Sequence, residues 1–247
     1  MTKLSVNVNK VATLRNTRPL NIPSVTHAAR LCLDAGAQGI TIHPRPDERH
    51  IRAHDVTDLA ELLKDYPGVE YNIEGNPFLG DYMKHIAKVR PTQCTLVPDA
   101  PDASTSDHGW DLILNRDRLI PIVQQLHDYG CRVSLFMDPV PGAMEEAAEI
   151  GADRIELYTE PYAAAFAAGK LTILDDYITA AQAAIDAGLG VNAGHDLNLD
   201  NLPLFLERVP HVLEVSIGHA LIADALEFGL PETVRKYLAV CKGEKRG

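Results

Sequence analysis

The segment His43-Pro44-Arg45-Pro46-Asp47-Glu48-Arg49-His50 gathers two imidazoles and two guanidinium groups in one short stretch. Two prolines exclude it from a helix interior or a central strand, so it reads as a loop holding these side chains near one another. Arginine forks and imidazoles suit a phosphate monoester, whose oxygens accept several charge-assisted hydrogen bonds. A solvated charged loop is the plainer alternative. A second candidate anion site lies in Ser216-Ile217-Gly218-His219-Ala220-Leu221-Ile222, where apolar strand residues stop at a glycine and a helical run begins at once. Such a junction directs free backbone N–H groups of a helix N-terminus at an anion. Two separate anion sites imply two phosphorylated substrates or one bisphosphate. Glu74, Glu156, His43 and His195 add two carboxyls and two imidazoles, enough for several proton transfers in a condensation or isomerisation. A carboxyl enclosed by the protein tends upward in pKa, whereas one beside Arg45 or Arg18 stays ionised.

Positioning these groups requires a scaffold, and one recurring phrase supplies it. Asp34-Ala35-Gly36-Ala37-Gln38-Gly39-Ile40-Thr41-Ile42-His43 reads as a helix end, a glycine and a strand, and the pattern returns around Gly130, Gly151 and Gly188. Helical periodicity marks Val56 to Tyr66, Phe78 to Val89, Leu119 to Tyr129 and Ile173 to Ala187, with an extra helix between Pro161 and Lys170. Strands are expected at Leu4 to Val8, Gly39 to His43, Glu70 to Ile73, Gln93 to Val97, Arg132 to Met137, Arg154 to Tyr158, Gly190 to Ala193 and Val212 to Ile217. Eight strands alternating with helices in 247 residues predict an α/β fold, a (β/α)8 TIM barrel with extra helices. No linker divides the chain, so residues 1–247 are expected to form one domain, with a Pro-, Ser- and Asp-rich lid loop around 99–111. In such a barrel the active site lies at the C-terminal strand ends, and here those ends are polar: Asn7, Asn9, Lys10 and Arg18 after strand one, His43, Arg45 and His50 after strand two, then Glu74, Glu156, Asn192 with His195, and Ser216 with His219.

The formal net charge of -11 argues against nucleic acid as a partner, because binding to a phosphate backbone rests on lysine and arginine. Any anion site must therefore be a local cationic cluster. Cys32, Cys94, Cys131 and Cys241 form no CxxC pair and read as inert thiols of a reducing cytosol. With no leader-like N-terminus and no apolar run long enough to span a bilayer, the expectation is a cytoplasmic protein without membrane contact.

Several motifs, in this order, resemble the pyridoxine 5′-phosphate synthase family of the deoxyxylulose-phosphate-dependent route to vitamin B6. They are Val6-Asn7-Val8-Asn9-Lys10-Val11-Ala12-Thr13-Leu14-Arg15-Asn16-Thr17-Arg18, Gly39-Ile40-Thr41-Ile42-His43-Pro44-Arg45 with Arg49-His50-Ile51, Asn72-Ile73-Glu74, Leu96-Val97-Pro98, Val191-Asn192-Ala193-Gly194-His195 and Ile217-Gly218-His219-Ala220. The resemblance implies a ring-closing condensation of 1-deoxy-D-xylulose 5-phosphate with 3-amino-2-oxopropyl phosphate, with loss of inorganic phosphate and water. It implies His43 and Glu74 as proton acceptors, His195 as proton donor and Glu156 as the group stabilising a cationic transition state. Asn7, Arg18, the backbone at Asp196 after His195, and Gly218 with His219 would hold the aminoketone phosphate. Arg45, His50 and Thr105, the last on the lid, would hold the deoxyxylulose phosphate, with Asn9 and Lys10 nearby. It further implies no metal and no organic cofactor, and a homo-octamer. This chain departs from the better-known form in having Asn9-Lys10 for Asp-His, Asp196 for a glycine, and Pro19-Leu20-Asn21-Ile22-Pro23 for a Gly-rich stretch.

Three alternatives belong beside that resemblance. Lys10 could form a Schiff base in a lyase or aldolase. His43, His50, Glu74 and His195 could hold a divalent ion in a hydrolase, although Arg45 beside them would repel it. A non-catalytic phosphate sensor would bind without turnover.

Overall fold

The computed structural model describes residues 1–101, 103 and 105–244. Eight parallel strands close into a barrel in sequence order: β1 (Lys3–Asn7), β2 (Gly39–Ile42), β3 (Glu70–Gly75), β4 (Gln93–Leu96), β5 (Arg132–Met137), β6 (Arg154–Tyr158), β7 (Gly190–Gly194) and β8 (Val212–Ile217). This is the (β/α)8 barrel expected from the alternation of strand and helix signals. The barrel helices are α2 (Val25–Asp34), α3 (Ala53–Leu63), α4 (Tyr82–Val89), α5 (Leu112–Asp128), α6 (Met144–Ile150), α8 (Leu174–Asp186), α9 (Leu202–Arg208) and α11 (Leu230–Cys241). Extra helices are α1 (Asn9–Asn16), α7 (Glu160–Ala167) and α10 (His219–Phe228).

Strand alternation sorts the side chains into two environments. Residues such as Leu4, Val6, Ile40, Ile42, Ile73, Leu135 and Val215 are fully buried in the layer between sheet and helices. The lumen is polar instead of the usual aliphatic packing. Ser5 and Thr41 hydroxyls meet at 2.7 Å, Thr95 donates to Asn72 at 3.1 Å, and Asn192 on β7 reaches across the lumen to Gln93 on β4 at 3.4 Å. At the N-terminal end Glu70 takes both Lys3 and Arg132. An apolar ledge of Val97, Phe136 and Tyr158 caps the lumen near its C-terminal end.

Helices α3 and α4 begin three residues earlier and four residues later than the sequence reading placed them, and two larger differences have identifiable reasons. The segment after β1 forms α1, whose buried stripe is Val11, Ala12 and Arg15; the arginine breaks the apolar period and so hides the helix from the sequence pattern. Arg15 is 4% exposed because it forks onto Asp55 of α3, which satisfies its charge inside the protein. Helix α5 begins at Leu112, earlier than Leu119, because Asp111 caps it by accepting from the Leu114 N–H at 3.1 Å. Its first turns carry exposed Ile113 and Leu114, so no amphipathic signal marks them. Residues 99–111 connect β4 to α5, and Asp102 and Ser104 of that expected lid lie outside the described residues.

Candidate active site

The C-terminal strand ends surround a cavity of about 480 Å³. Asn7 at the end of β1 accepts from the Asn9 N–H through Oδ1 at 3.0 Å and turns Nδ2 toward Glu74 Oε2 at 3.5 Å. Asn9 Oδ1 in turn accepts the His43 backbone N–H at 3.0 Å, tying the start of α1 to the end of β2. Lys10 and Thr13 line the cavity one turn apart on the same helix. The far end of α1 secures the loop after β2: Arg15 Nη2 and Asn16 Nδ2 both donate to the His50 carbonyl, at 3.0 and 2.8 Å.

That loop delivers the expected imidazoles and arginines. His50 Nδ1 accepts the Ile51 N–H at 2.9 Å, which leaves the proton of the neutral ring on Nε2 as a donor. Burial, followed by the charges of Arg45, Lys10 and Arg49, pushes its pKa down to about 4. His43 is pushed well below the usual histidine range by burial and then by Arg45, His50 and His195, while its Nδ1 sits 3.9 Å from Glu74 Oε2. Arg45 is 5% exposed and paired with Asp99, and it donates to the Ala103 carbonyl at 2.9 Å. Ser106 also donates to Asp99, at 2.8 Å. Asp99, Ala103 and Ser106, on either side of Thr105, are therefore fastened to the cationic cluster itself.

Two carboxyls face these cations. Burial raises Glu74 to about 8, with Asp99 adding to the rise and Arg45 opposing it. Glu156 is 3% exposed and raised well above the carboxylate range by burial and then by Glu74 and Glu214. Burial therefore favours the protonated form of both carboxyls. A Cβ on Gly194 would stand 2.4 Å from Glu156 Oε1, so glycine at the end of β7 makes room for that carboxyl.

His195 and Asp196 follow with φ of 82° and 58°, a left-handed backbone that side chains seldom adopt and that recurs at functional sites. Thr159 holds this turn by donating its hydroxyl to the Gly194 and His195 carbonyls. The His195 ring meets Phe136 and Tyr158 edge-on at centroid distances of 5.7 and 5.5 Å. Burial lowers its pKa against the pull of Asp196 and Asp99. After β8, Gly218 precedes α10, and Gly218 and His219 line the cavity at that helix's N-terminus. Its missing side chain again permits a close approach, since a Cβ there would lie 3.1 Å from Asn7 Cβ.

The structure thus brings Asn7, Asn9, Lys10, His43, Arg45, His50, Glu74, Thr105, Glu156, His195, Asp196, Gly218 and His219 around one cavity. Arg18 stands apart: it is exposed two residues beyond the end of α1 and does not line the cavity. Sequence reasoning missed Asp99 and Thr159 as site groups. Arg49 was legible in the cationic loop, and it shares the Ala103 carbonyl with Arg45, at 2.9 Å. Asp99 and Thr159 carry no local signal.

The sequence model of the family described as pyridoxal phosphate biosynthesis protein PdxJ matches residues 4–243. The chain belongs to the PdxJ family. Among curated PdxJ relatives, the chain is 59% identical over 242 residues to the pyridoxine 5′-phosphate synthase of Albidiferax ferrireducens, covering 96% of each. It is 55% identical over 237 residues to that of Porphyromonas gingivalis, covering 96% of this chain and 98% of the relative. Solved structures show the fold alone. Phosphoribosyl anthranilate isomerase from Thermotoga maritima matches with a TM-score of 0.60 at 13% identity, over 98% of this chain and 100% of that one. A tryptophan synthase chain from M. tuberculosis matches at 0.65 and 11%, over 98% and 92%.

Proposed function

We propose that this PdxJ family member is a pyridoxine 5′-phosphate synthase, joining 1-deoxy-D-xylulose 5-phosphate to 3-amino-2-oxopropyl phosphate with loss of inorganic phosphate and water. The observation that carries the proposal is that one cavity holds His43, Glu74, Glu156 and His195 between two differently built anion cradles. One cradle is Arg45, Arg49 and His50, suited to the deoxyxylulose phosphate; the other is the α10 N-terminus with Gly218 and His219, suited to the aminoketone phosphate. Asn7 and the backbone at Asp196 border the second cradle, and Arg18 would need to swing inward to join it.

Charge on the substrates changes the protonation states in the direction the reaction needs. Two phosphate dianions favour the protonated form of neighbouring imidazoles, so His195, whose pKa burial lowers, becomes a proton donor when both are bound. His43, kept neutral by burial and then by the arginine beside it, accepts a proton, and Glu74 accepts another once ionised. Condensation of an amine with a ketone passes through a cationic imine. That cation beside Glu156 favours its carboxylate, so a carboxyl that burial keeps neutral becomes the counter-ion as positive charge appears.

Lys10, exposed on the rim between His50 and His195, supplies charge to the deoxyxylulose phosphate, and Asn9 acts through His43. The 99–111 segment carrying Thr105 serves as a lid over a single-domain barrel, and a cytoplasmic homo-octamer without a cofactor is the assembly that goes with the reading. Incubation of the purified protein with both ketone phosphates is expected to give pyridoxine 5′-phosphate, read by mass and absorbance. Binding of both without product would favour the sensor alternative and overturn the proposal.

A further inference from the structure

Glu214 on β8 is 2% exposed, faces the polar lumen and does not line the cavity. Strand register places it opposite Asn192 on β7, and Asn192 opposite Glu156 on β6. A single asparagine thus separates two buried carboxyls along the register, and because the strands are tilted Glu156 reaches the cavity while Glu214 stays below it among the groups of the N-terminal end. The groups facing Glu214 come from six other strands: Lys3, Glu70, Gln93, Arg132, Arg154 and Asn192. Most are already committed. Glu70 takes Lys3 and Arg132, Arg132 Nε donates to Gln93 at 2.8 Å, and Arg154 donates to Asn192 Oδ1 at 3.0 Å. Among the described residues no ion pair within 4.0 Å engages Glu214, so its charge is not neutralised by a direct partner.

We propose that Glu214 is a positioning residue for the ring closure, acting from the lumen on Glu156, from which one asparagine of β7 separates it in register. The inference rests on the proposed function. In a dry interior an unneutralised charge acts over longer distances than in water. Burial and then Glu70 raise Glu214 to about 7 against Arg154, Arg132 and Lys3, and Glu214 is among the groups that raise both Glu74 and Glu156. Its charge therefore changes near neutrality, where the two acids above it must still hold their protons.

The test is the pH profile of product formation. Glu74 accepts a proton only when ionised, so the rising limb of the profile tracks its pKa. Glu214→Gln preserves shape and removes the charge, and is expected to move that limb about half to one pH unit lower. Between about pH 7, where Glu214 ionises, and the limb the variant would then outpace the wild type by up to about 3- to 10-fold, the gap closing at lower pH as Glu214 takes up its own proton. Glu214→Asp, which keeps a charge, is expected to restore the limb, a rescue that a merely structural role would not produce. A Glu214→Gln profile superimposing on the wild type overturns the inference.

Infrared titration of the protonated carboxyl band provides a readout without turnover. In Glu214→Gln the Glu156 band, assigned by its loss in Glu156→Gln, should disappear at lower pH than in the wild type, and an unmoved band overturns the inference. If Glu214→Gln does not fold, the wild type carries the test: the Glu214 band must be lost at a lower pH than the Glu156 band, and the reverse order overturns it. Absence of product from the wild type would sink the functional reading, and the infrared result would still decide the charge coupling.

Discussion

Asn9 Oδ1 accepts the backbone N–H of His43 at 3.0 Å, so the first residue of α1 fixes the last turn of backbone before the cationic loop. This gives Asn9 a positioning part in addition to its place on the cavity wall. Removing the acceptor in Asn9→Ala leaves a half-buried N–H unpaired, at a cost of about 1–3 kcal/mol. Turnover is expected to fall about tenfold or more, while Asn9→Asp, which retains an acceptor, keeps most of it. Equal loss in both variants would show that the amide contacts substrate.

Arg45 depends on a bidentate-capable fork, with one arm on Asp99 and another on the Ala103 carbonyl. Arg45→Lys keeps the charge and loses that geometry. The expected result is a KM for the deoxyxylulose phosphate raised about tenfold or more, an order of 1.4 kcal/mol, with the aminoketone phosphate affected less. Titrating each substrate with the other saturating measures the split.

Gly194→Ala places a methyl 2.4 Å from Glu156 Oε1. Overpacking of this kind typically costs about 1–3 kcal/mol of stability. The carboxyl must move, so turnover should drop about a hundredfold or more while a folded barrel persists by circular dichroism. Near-normal turnover would mean that Glu156 is not held where the chemistry needs it.

Stability of the ligand-free protein should show the opposing shifts. Glu74, at about 8, is raised above its unfolded value of 4.5, as are Glu156 and Glu214. Their contribution is fully present below about pH 4.5 and is lost as pH rises through the folded values. His43, His50 and His195 are lowered from 6.5, so their contribution is present above that value and lost as pH falls toward their folded pKa. Melting temperature should therefore decline from mildly acidic pH toward about pH 8, more shallowly in Glu74→Gln. An equal decline in the variant would contradict a raised Glu74 pKa.

The barrel and most of the cavity wall were legible because polar residues interrupt apolar strands at their C-terminal ends, a local pattern. His43, Glu74, Glu156 and His195 stand out in that way. What stayed hidden are pairings between distant residues. Arg15 and Asp55 are 40 residues apart and Arg45 and Asp99 are 54 apart, and nothing in either segment alone announces the partner. Helix α1 was missed for the same reason, since its buried stripe includes an arginine whose counter-charge lies elsewhere. Arg18 illustrates the converse: a motif position that is exposed and does not line the cavity.

The central claim is that two phosphorylated ketones meet in one cavity and lose a single phosphate as the ring closes. Stoichiometric phosphate release measured alongside product mass tests it most directly. The account predicts one inorganic phosphate per pyridoxine 5′-phosphate, released only when both substrates are present, and abolished in Glu74→Gln and His195→Ala. Phosphate released from either substrate alone, or none with both present, would contradict it.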